Sequence, residues 1–394
     1  MIYNKFQNIN LSRLGFGTMR LPLNSDGTIN EELTQKMVDY AIDSGVNYFD
    51  TAFPYHSGYS EIVIGKALKK HPRESYYLAT KYPGHQIASS YNPKEIFEKQ
   101  LEKCGVDYFD FYLLHNVNEG SFKVYTDEKW GIVKYFIEQK KNGRIKHLGF
   151  SSHADIPCLK EFLDLYKNDM EFCQIQFNYL DATLQHAKEK YDLITSYNIP
   201  VWVMEPLRGG KLANLDEEYV KELKSFNKTN SSVSLAFKYL LQFENVKMIL
   251  SGMSSMDQMI DNINIFNNYK KITEEENNYL LELGKKLSKG VPCTKCGYCL
   301  AGCPKHLEIP KLLQTYNDIK YTFSFTPTMY LENLDDEKKP SKCISCHKCS
   351  RTCPQKIDIP SVLKELSEIY ENNPKWKDIC IEREKQAKAL NIEK

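Results

Sequence analysis

Asp50, Tyr55, Lys81 and His115 are four residues whose types and spacing suit one reaction. Reducing a carbonyl requires hydride at carbon and a proton at the developing alkoxide, and a tyrosine hydroxyl can supply that proton. A free phenol titrates near ~10, so an adjacent ammonium that favours the phenolate would tune it. Lys81 is placed to do this, Asp50 to hold Lys81 charged, and His115 to donate a hydrogen bond to the carbonyl oxygen as charge grows there. Taken singly, each has an ordinary structural reading: an ion pair for Asp50 and Lys81, a loop aromatic for Tyr55, a core histidine for His115. Their shared position at strand ends favours the chemical reading.

The elements that position them follow from the hydrophobic pattern. Short β-type runs are read at 13–18, 48–52, 76–81, 109–115, 147–152, 173–178, 201–206 and 247–252. Amphipathic helical stretches such as 30–45, 92–105 and 130–143 lie between them, several closed by Gly. Eight βα units predict an α/β fold of the (β/α)8 TIM barrel type, with an open doubly wound sheet as the alternative. In a barrel, residues at the C-terminal strand ends line the site. Asp50, Lys81 and His115 end the second, third and fourth strands and Tyr55 follows the second, so all four converge on one side of one mouth. No G-x-G-x-x-G turn follows the first strand, which weakens the doubly wound alternative as a dinucleotide binder.

Twelve cysteines are present, eight of them in "CTKCGYCLAGCP" from residue 293 and "CISCHKCSRTCP" from residue 343. C-x2-C-x2-C-x3-C-P is the ligand run of [4Fe-4S] ferredoxins, in which the fourth cysteine of each run ligates the other cluster. Cys293, Cys296 and Cys299 with Cys353 are therefore expected to hold one cluster, and Cys343, Cys346 and Cys349 with Cys303 the second. Zinc is the alternative, but zinc sites usually set two C-x2-C pairs apart. Ile-Pro follows each run six residues on, at 309 and 359, and reads as a helix start. The connection containing "YTFSFTPTMYLENLDDEKKPS" reads as having little regular structure. Cys104, Cys158, Cys173 and Cys380 read as packing residues, and His306 and His347 as surface residues. Two domains are expected: a barrel over 1–285 and a small, mainly α-helical ferredoxin-like domain over 286–394.

The first part resembles the aldo-keto reductase family. The likeness lies in "YFDTAFPYHSGYSEIVIGKAL" (48–68), "LATK" (78–81), "DFYLLH" (110–115), "GRIKHLGFSS" (143–152), "QIQFN" (174–178), "EPLRGGKL" (205–212) and "SGMSSMDQMIDN" (251–262). The resemblance implies NADP(H) or NAD(H) bound without a Rossmann fold, a small-molecule carbonyl substrate, and Tyr55 as proton donor supported by Asp50, Lys81 and His115. It further implies Ser151, Ser152 and Gln174 at the nicotinamide carboxamide and Leu207 and Gly209 along the pyrophosphate. Ser251, Gly252, Ser254, Gln258 and Asn262 would then receive the adenosine phosphate end. Two departures stand out: Met204 replaces the stacking tyrosine of many members, and 251–262 contains no Lys or Arg, which leaves NADP against NAD open. The tail resembles the helical ferredoxins of anaerobic and respiratory electron transfer.

Lys plus Arg totals 52 against 51 for Asp plus Glu, so net charge supplies no attraction for nucleic acid or an anionic membrane. No run of 18 apolar residues occurs and the start lacks a signal-peptide core, which predicts a soluble, cytoplasmic protein. Hydride chemistry moves two electrons and a cubane one, and no flavin motif converts between them. Three readings stay open: a nicotinamide reductase with structural or partner-facing clusters, an iron-sulfur electron carrier using the barrel as scaffold, or a barrel site fed by the clusters. A ferredoxin or another redox protein is the partner class implied. The intact four-residue set favours the first reading, while the substrate and the end of the barrel on which the tail packs stay open.

Overall fold

The computed structural model describes residues 1–227, 230–288, 290–293, 295–321 and 325–389. A short antiparallel hairpin, β1 (Tyr3–Phe6) and β2 (Ile9–Ser12), precedes the barrel. The barrel strands are β3 (Leu14–Gly17), β4 (Tyr48–Asp50), β5 (Tyr77–Tyr82), β6 (Phe109–Val117), β7 (Ile145–Ser152), β8 (Cys173–Gln176), β9 (Val201–Met204) and β10 (Val246–Ser251). They pair in parallel in sequence order, and β10 closes on β3. All eight strands read from the sequence are present, and the open-sheet alternative is excluded.

The hairpin was not legible because "YNKF" lacks apolar alternation and "INLS", which has it, is only four residues long. Its Phe6 enters the N-terminal end of the barrel and packs against Phe111, Phe172 and Trp202 at centroid distances of 5.7, 6.5 and 5.1 Å. This aromatic layer seals the bottom, so only the C-terminal end is left for a site. The barrel core runs through Leu280, Leu283 and Leu287 of helix Glu274–Leu287.

A second core begins in the tail. Helices Ile309–Tyr321 and Ile359–Asn372 start at the two Ile-Pro pairs and pack Leu312, Leu313, Ile359, Leu363 and Leu366 together. The connection between the cysteine runs departs from expectation: Phe325–Asn333 is a helix, with Pro327 in its first turn where a missing N–H costs nothing. Its Met329 packs with Trp376 and Cys380 of a last helix, Trp376–Ala389. No described helix is long and apolar enough to cross a membrane.

The tail packs on the C-terminal end of the barrel. Asn116 Nδ2, just past His115, approaches Met329 Sδ at 3.7 Å, and Lys311 lies 3.4 Å from both Glu119 and Asp155. Arg208 forms a buried ion pair with Asp181 and reaches Asp318 of the tail at 3.7 Å.

Candidate active site

β4 and β5 pair so that Asp50 stands opposite Ala79, two residues before Lys81, and the side chains of Asp50 and Lys81 meet inside the mouth. Lys81 is 0 % exposed and its Nζ donates to Asp50 Oδ1 at 2.5 Å, to the Thr51 carbonyl at 2.6 Å and to the Tyr55 hydroxyl at 3.4 Å. His115 faces Tyr55 edge-on, with ring centroids 5.9 Å apart. All four residues expected to act together are therefore in one cluster.

The turn that presents Tyr55 is strained. His56 and Ser57 follow it at φ 50° and 54°, where a Cβ is crowded, before Gly58 at φ 91° opens helix Tyr59–Leu68. Two contacts hold the turn: the Leu21 amide donates to His56 Nε2 at 3.3 Å, and Ser57 Oγ donates to Gln386 Oε1 of the last tail helix at 2.5 Å.

Burial pushes the Tyr55 phenol above its ordinary value, and the Lys81 ammonium pulls it back without prevailing. Lys81 acts on the phenol in the expected direction, but loss of hydration is the larger effect and the net shift is upward. Burial by itself would lower Lys81, but Asp50 and Tyr55 outweigh it and the ammonium is held above its ordinary value. His115 is kept neutral by burial, and its Nδ1 has no hydrogen-bond partner among the described residues.

Four further groups at the mouth were not singled out from the sequence. His85 packs on His115 at 4.4 Å and stacks on Trp376 of the tail at 5.8 Å, and burial lowers it to about 3. Arg383 lies over the Trp376 ring at 5.2 Å. Arg20 approaches Gly209 and Gly252, where an added Cβ would stand 3.0 and 3.4 Å from its side chain. His85 and Arg20 lie just past the ends of β5 and β3, so the strand-end rule used for the other residues applied to them also. Trp376 and Arg383 carry no such signal, because only the packing of the tail brings them here.

The residues expected at a nicotinamide cofactor lie along the opposite side of the mouth. Gln174 Nε2 donates to Met204 Sδ at 3.5 Å, while its Oε1 is buried without a partner among the described residues. Ser151 Oγ accepts from the Asn116 amide at 2.8 Å and keeps its own hydrogen. Ser152 Oγ donates to the Val117 carbonyl at 2.9 Å and accepts from the Ala154 amide at 3.1 Å, so its hydroxyl is already engaged. Leu207 precedes Gly209, whose φ of 64° belongs to a tight turn. Ser251 Oγ accepts from Asn262 Nδ2 at 2.8 Å, and Ser254 donates its amide to Gln258 Oε1 and its hydroxyl to the Arg20 carbonyl, each at 2.8 Å. Next to Gly252 stands Arg20, a cation that the 251–262 segment itself lacks.

In the tail, one recess is lined by Cys293, Cys296, Cys299 and Cys353, and another by Cys303, Cys343, Cys346 and Cys349. The two runs thus cross, each contributing its last cysteine to the other's recess. Among the described residues no three His, Cys, Asp or Glu side chains converge closely enough for a single metal ion; the thiols ring the two recesses instead. Gly297, at φ 80°, turns the chain between Cys296 and Cys299. His306 and His347 are exposed, and Cys104, Cys158, Cys173 and Cys380 are buried.

The profile of the Aldo/keto reductase family matches residues 13–285. The chain belongs to the aldo/keto reductase family. A 4Fe-4S dicluster domain profile matches residues 292–358, so this member carries an iron-sulfur domain after its barrel. The chain is 25% identical over 304 residues to the NADH-specific methylglyoxal reductase of Escherichia coli (strain K12), covering 66% of this chain and 91% of that one. It is 26% identical over 268 residues to the NADPH-dependent alpha-keto amide reductase of Saccharomyces cerevisiae, covering 66% and 82%. An aldo-keto reductase from Bacillus halodurans in its holo form superposes with a TM-score of 0.59 at 25% identity, covering 72% of this chain and 96% of that one. These relatives make this aldo/keto reductase an oxidoreductase by family.

Proposed function

We propose that this aldo/keto reductase reduces a small carbonyl compound to an alcohol with a nicotinamide cofactor, and that Tyr55 donates the proton. The observation that carries this reading is the buried Asp50–Lys81–Tyr55 chain of contacts with neutral His115 beside it. A nicotinamide, when bound, supplies hydride to the carbonyl carbon. The Tyr55 hydroxyl gives its proton to the carbonyl oxygen, and the charge left on the phenolate is met by Lys81 at 3.4 Å. Asp50 fixes Lys81, and the neutral His115 ring can give one N–H to the oxygen as it becomes negative. Because the site is dry, these interactions act at low dielectric.

The unpartnered Gln174 Oε1 suits a carboxamide, with Ser151 beside it and Ser152 as support. Leu207 and Gly209 would line the pyrophosphate, with Arg20 as its cation. Ser251, Gly252, Ser254, Gln258 and Asn262 would receive the adenosine end. The two curated relatives named above differ in cofactor, one NADH-specific and the other NADPH-dependent, so NADP(H) and NAD(H) are both carried forward. Methylglyoxal and an alpha-keto amide both place a carbonyl beside a second carbonyl, which suggests an α-oxo compound here.

In the tail, Cys293, Cys296, Cys299 and Cys353 would hold one [4Fe-4S] cluster, and Cys303, Cys343, Cys346 and Cys349 the other, within a domain taken as 286–394 beside a barrel taken as 1–285. Such clusters supply one-electron transfer. A second reading, in which the clusters exchange electrons with the barrel, draws support from the tail's packing over the mouth. Cofactor titration and a Tyr55→Phe variant test the first reading: reductase activity falling by about 10²–10⁴ with the fold retained is expected. Full activity in that variant, or binding of neither NADPH nor NADH, would refute it. Electron paramagnetic resonance of anaerobic protein tests the second: reduced-cluster signals appearing on addition of NADPH or NADH alone would establish exchange, and reduction by dithionite only would exclude it.

A further inference from the structure

The last tail helix, Trp376–Ala389, carries Trp376, Cys380 and Arg383 at positions i, i+4 and i+7, which share one face. That face lies on the barrel mouth. Trp376 stacks on His85, His85 packs on His115, and His115 faces Tyr55. One turn further on, Gln386 meets Ser57 in the turn that presents Tyr55. Arg383, fixed over Trp376, is thus held within the same group of side chains as the proton donor.

Arg383 is half-buried and, among the described residues, has neither a hydrogen bond nor a carboxylate partner. Among the described residues the ionisable groups that act on it are the Cys380 thiol and the Tyr55 phenol, with no carboxylate among them. The comparably placed arginines are otherwise engaged. Arg73 holds Asp110, Arg144 holds Glu98, Arg208 holds Asp181, and Arg13 donates to two main-chain carbonyls. Glu332, on the neighbouring helix, accepts from the Trp376 and Lys377 amides and serves as the cap of the last helix. A guanidinium partly removed from water without a counter-charge is costly to keep, and its planar fork matches a carboxylate.

We propose that Arg383 receives the anionic group of a carboxylate-bearing carbonyl substrate, so that barrel and tail share one substrate site. The inference rests on the reductase reading above and narrows it. Tyr55 and His115 take the carbonyl end, the rings of His85 and Trp376 form a wall between, and Arg383, over the Trp376 ring, binds the carboxylate. The tail therefore has a part in substrate selection that is separate from any electron transfer by its clusters. An uncharged carbonyl of the same size would lack the Arg383 contact and leave the cation uncompensated.

The test uses the full-length holoprotein with two matched pairs of substrates, pyruvate with methyl pyruvate and 4-carboxybenzaldehyde with methyl 4-formylbenzoate. These place carboxylate and carbonyl at a short and a long separation. For at least one pair the wild type should favour the acid in kcat/KM, and Arg383→Gln should lower the acid-to-ester ratio by about 100-fold, as for loss of one partner of a buried charge pair. Arg383→Lys should recover part of it, since the charge returns without the fork. An acid-to-ester ratio that stays within about threefold across the variants overturns the proposal. If none of the four compounds is reduced, titration with NADPH and NADH decides whether the reductase reading has failed. Arg383 is then judged by calorimetric binding of 4-carboxybenzaldehyde to the wild type and to Arg383→Gln. Weaker binding by the variant supports the carboxylate site; equal binding, or none to the wild type, refutes it.

Discussion

Replacing Trp376 with Ala should release the last helix from the barrel mouth while the barrel and the cluster-binding core stay folded. Trp376 is 2 % exposed and packs with Phe325, Met329, Ile379 and Cys380 in a small core separate from the three larger ones. Truncating so buried an aromatic costs about 3–5 kcal/mol. What remains to hold the helix is mostly polar: Ser57 on Gln386, and Glu332 on the first amides. Contacts of this kind contribute roughly 1 kcal/mol each. The opening equilibrium of residues 379–386 should therefore rise by about 10²–10⁴-fold. Native-state hydrogen exchange read by mass spectrometry would show faster exchange there and unchanged protection in Phe109–Val117 of the barrel.

A second readout comes from His85, which burial under Trp376 holds at about 3. Below the ordinary histidine value near ~6.5 the unfolded chain binds a proton that the folded protein refuses, so acidification from pH 7 toward 3 costs stability. With the helix released, water reaches His85, its titration moves upward, and this loss of stability between pH 7 and 5 should shrink. His153, lowered by burial to about 4, supplies the same slope in both proteins. Unchanged protection at 379–386, or exchange of helix and barrel in one step, would refute the reasoning.

With His115 kept neutral by burial and Tyr55 held above its ordinary value, kcat/KM for carbonyl reduction should show no ionisation near 6.5 and should fall only above about pH 10; an acid limb near 6.5 that His115→Gln abolishes would contradict this. Lys81→Met leaves Asp50 buried without its cation, which should cost about 3–5 kcal/mol in denaturant unfolding as well as activity, whereas Tyr55→Phe should leave stability nearly unchanged. Gly65→Ala adds a Cβ that overlaps the Cys104 carbonyl oxygen, so the clash between helices should outweigh the helix-propensity gain of about 1 kcal/mol and lower the thermal midpoint. Cys353→Ala should reduce iron from about eight to about four per chain and spare the recess of Cys303, Cys343, Cys346 and Cys349, measured by iron and sulfide content.

Much of this molecule was legible from local pattern. The βα alternation dictates the eight strands, because a parallel strand buried on both faces needs a continuous apolar run and the crossover needs a helix. Asp50, Lys81 and His115 lie at or within two residues of the C-terminal ends of such strands, and a closed parallel barrel has no choice but to gather them at one mouth. The repeated cysteine run likewise implies its own crossing, since Cys303 and Cys353 each stand one helical turn past a compact trio.

Other features had no local signal. The hairpin that seals the bottom is made of two four-residue strands too short to carry a pattern and is fixed by the fit of Phe6 into an aromatic layer. The helix Phe325–Asn333 is rich in Thr, Phe and Tyr, weak helix formers, and owes its form to packing against the barrel and the last helix. The net rise at Tyr55 depends on how little water reaches the mouth, which no spacing of residues encodes. Tyr55 and its partners were determined by the sequence alone because strand periodicity sets which residues reach the mouth. Trp376 and Arg383, more than 300 positions further along the chain from Tyr55, were placed there only by the tertiary structure, since the docking of one domain on another depends on matching surfaces rather than on local pattern.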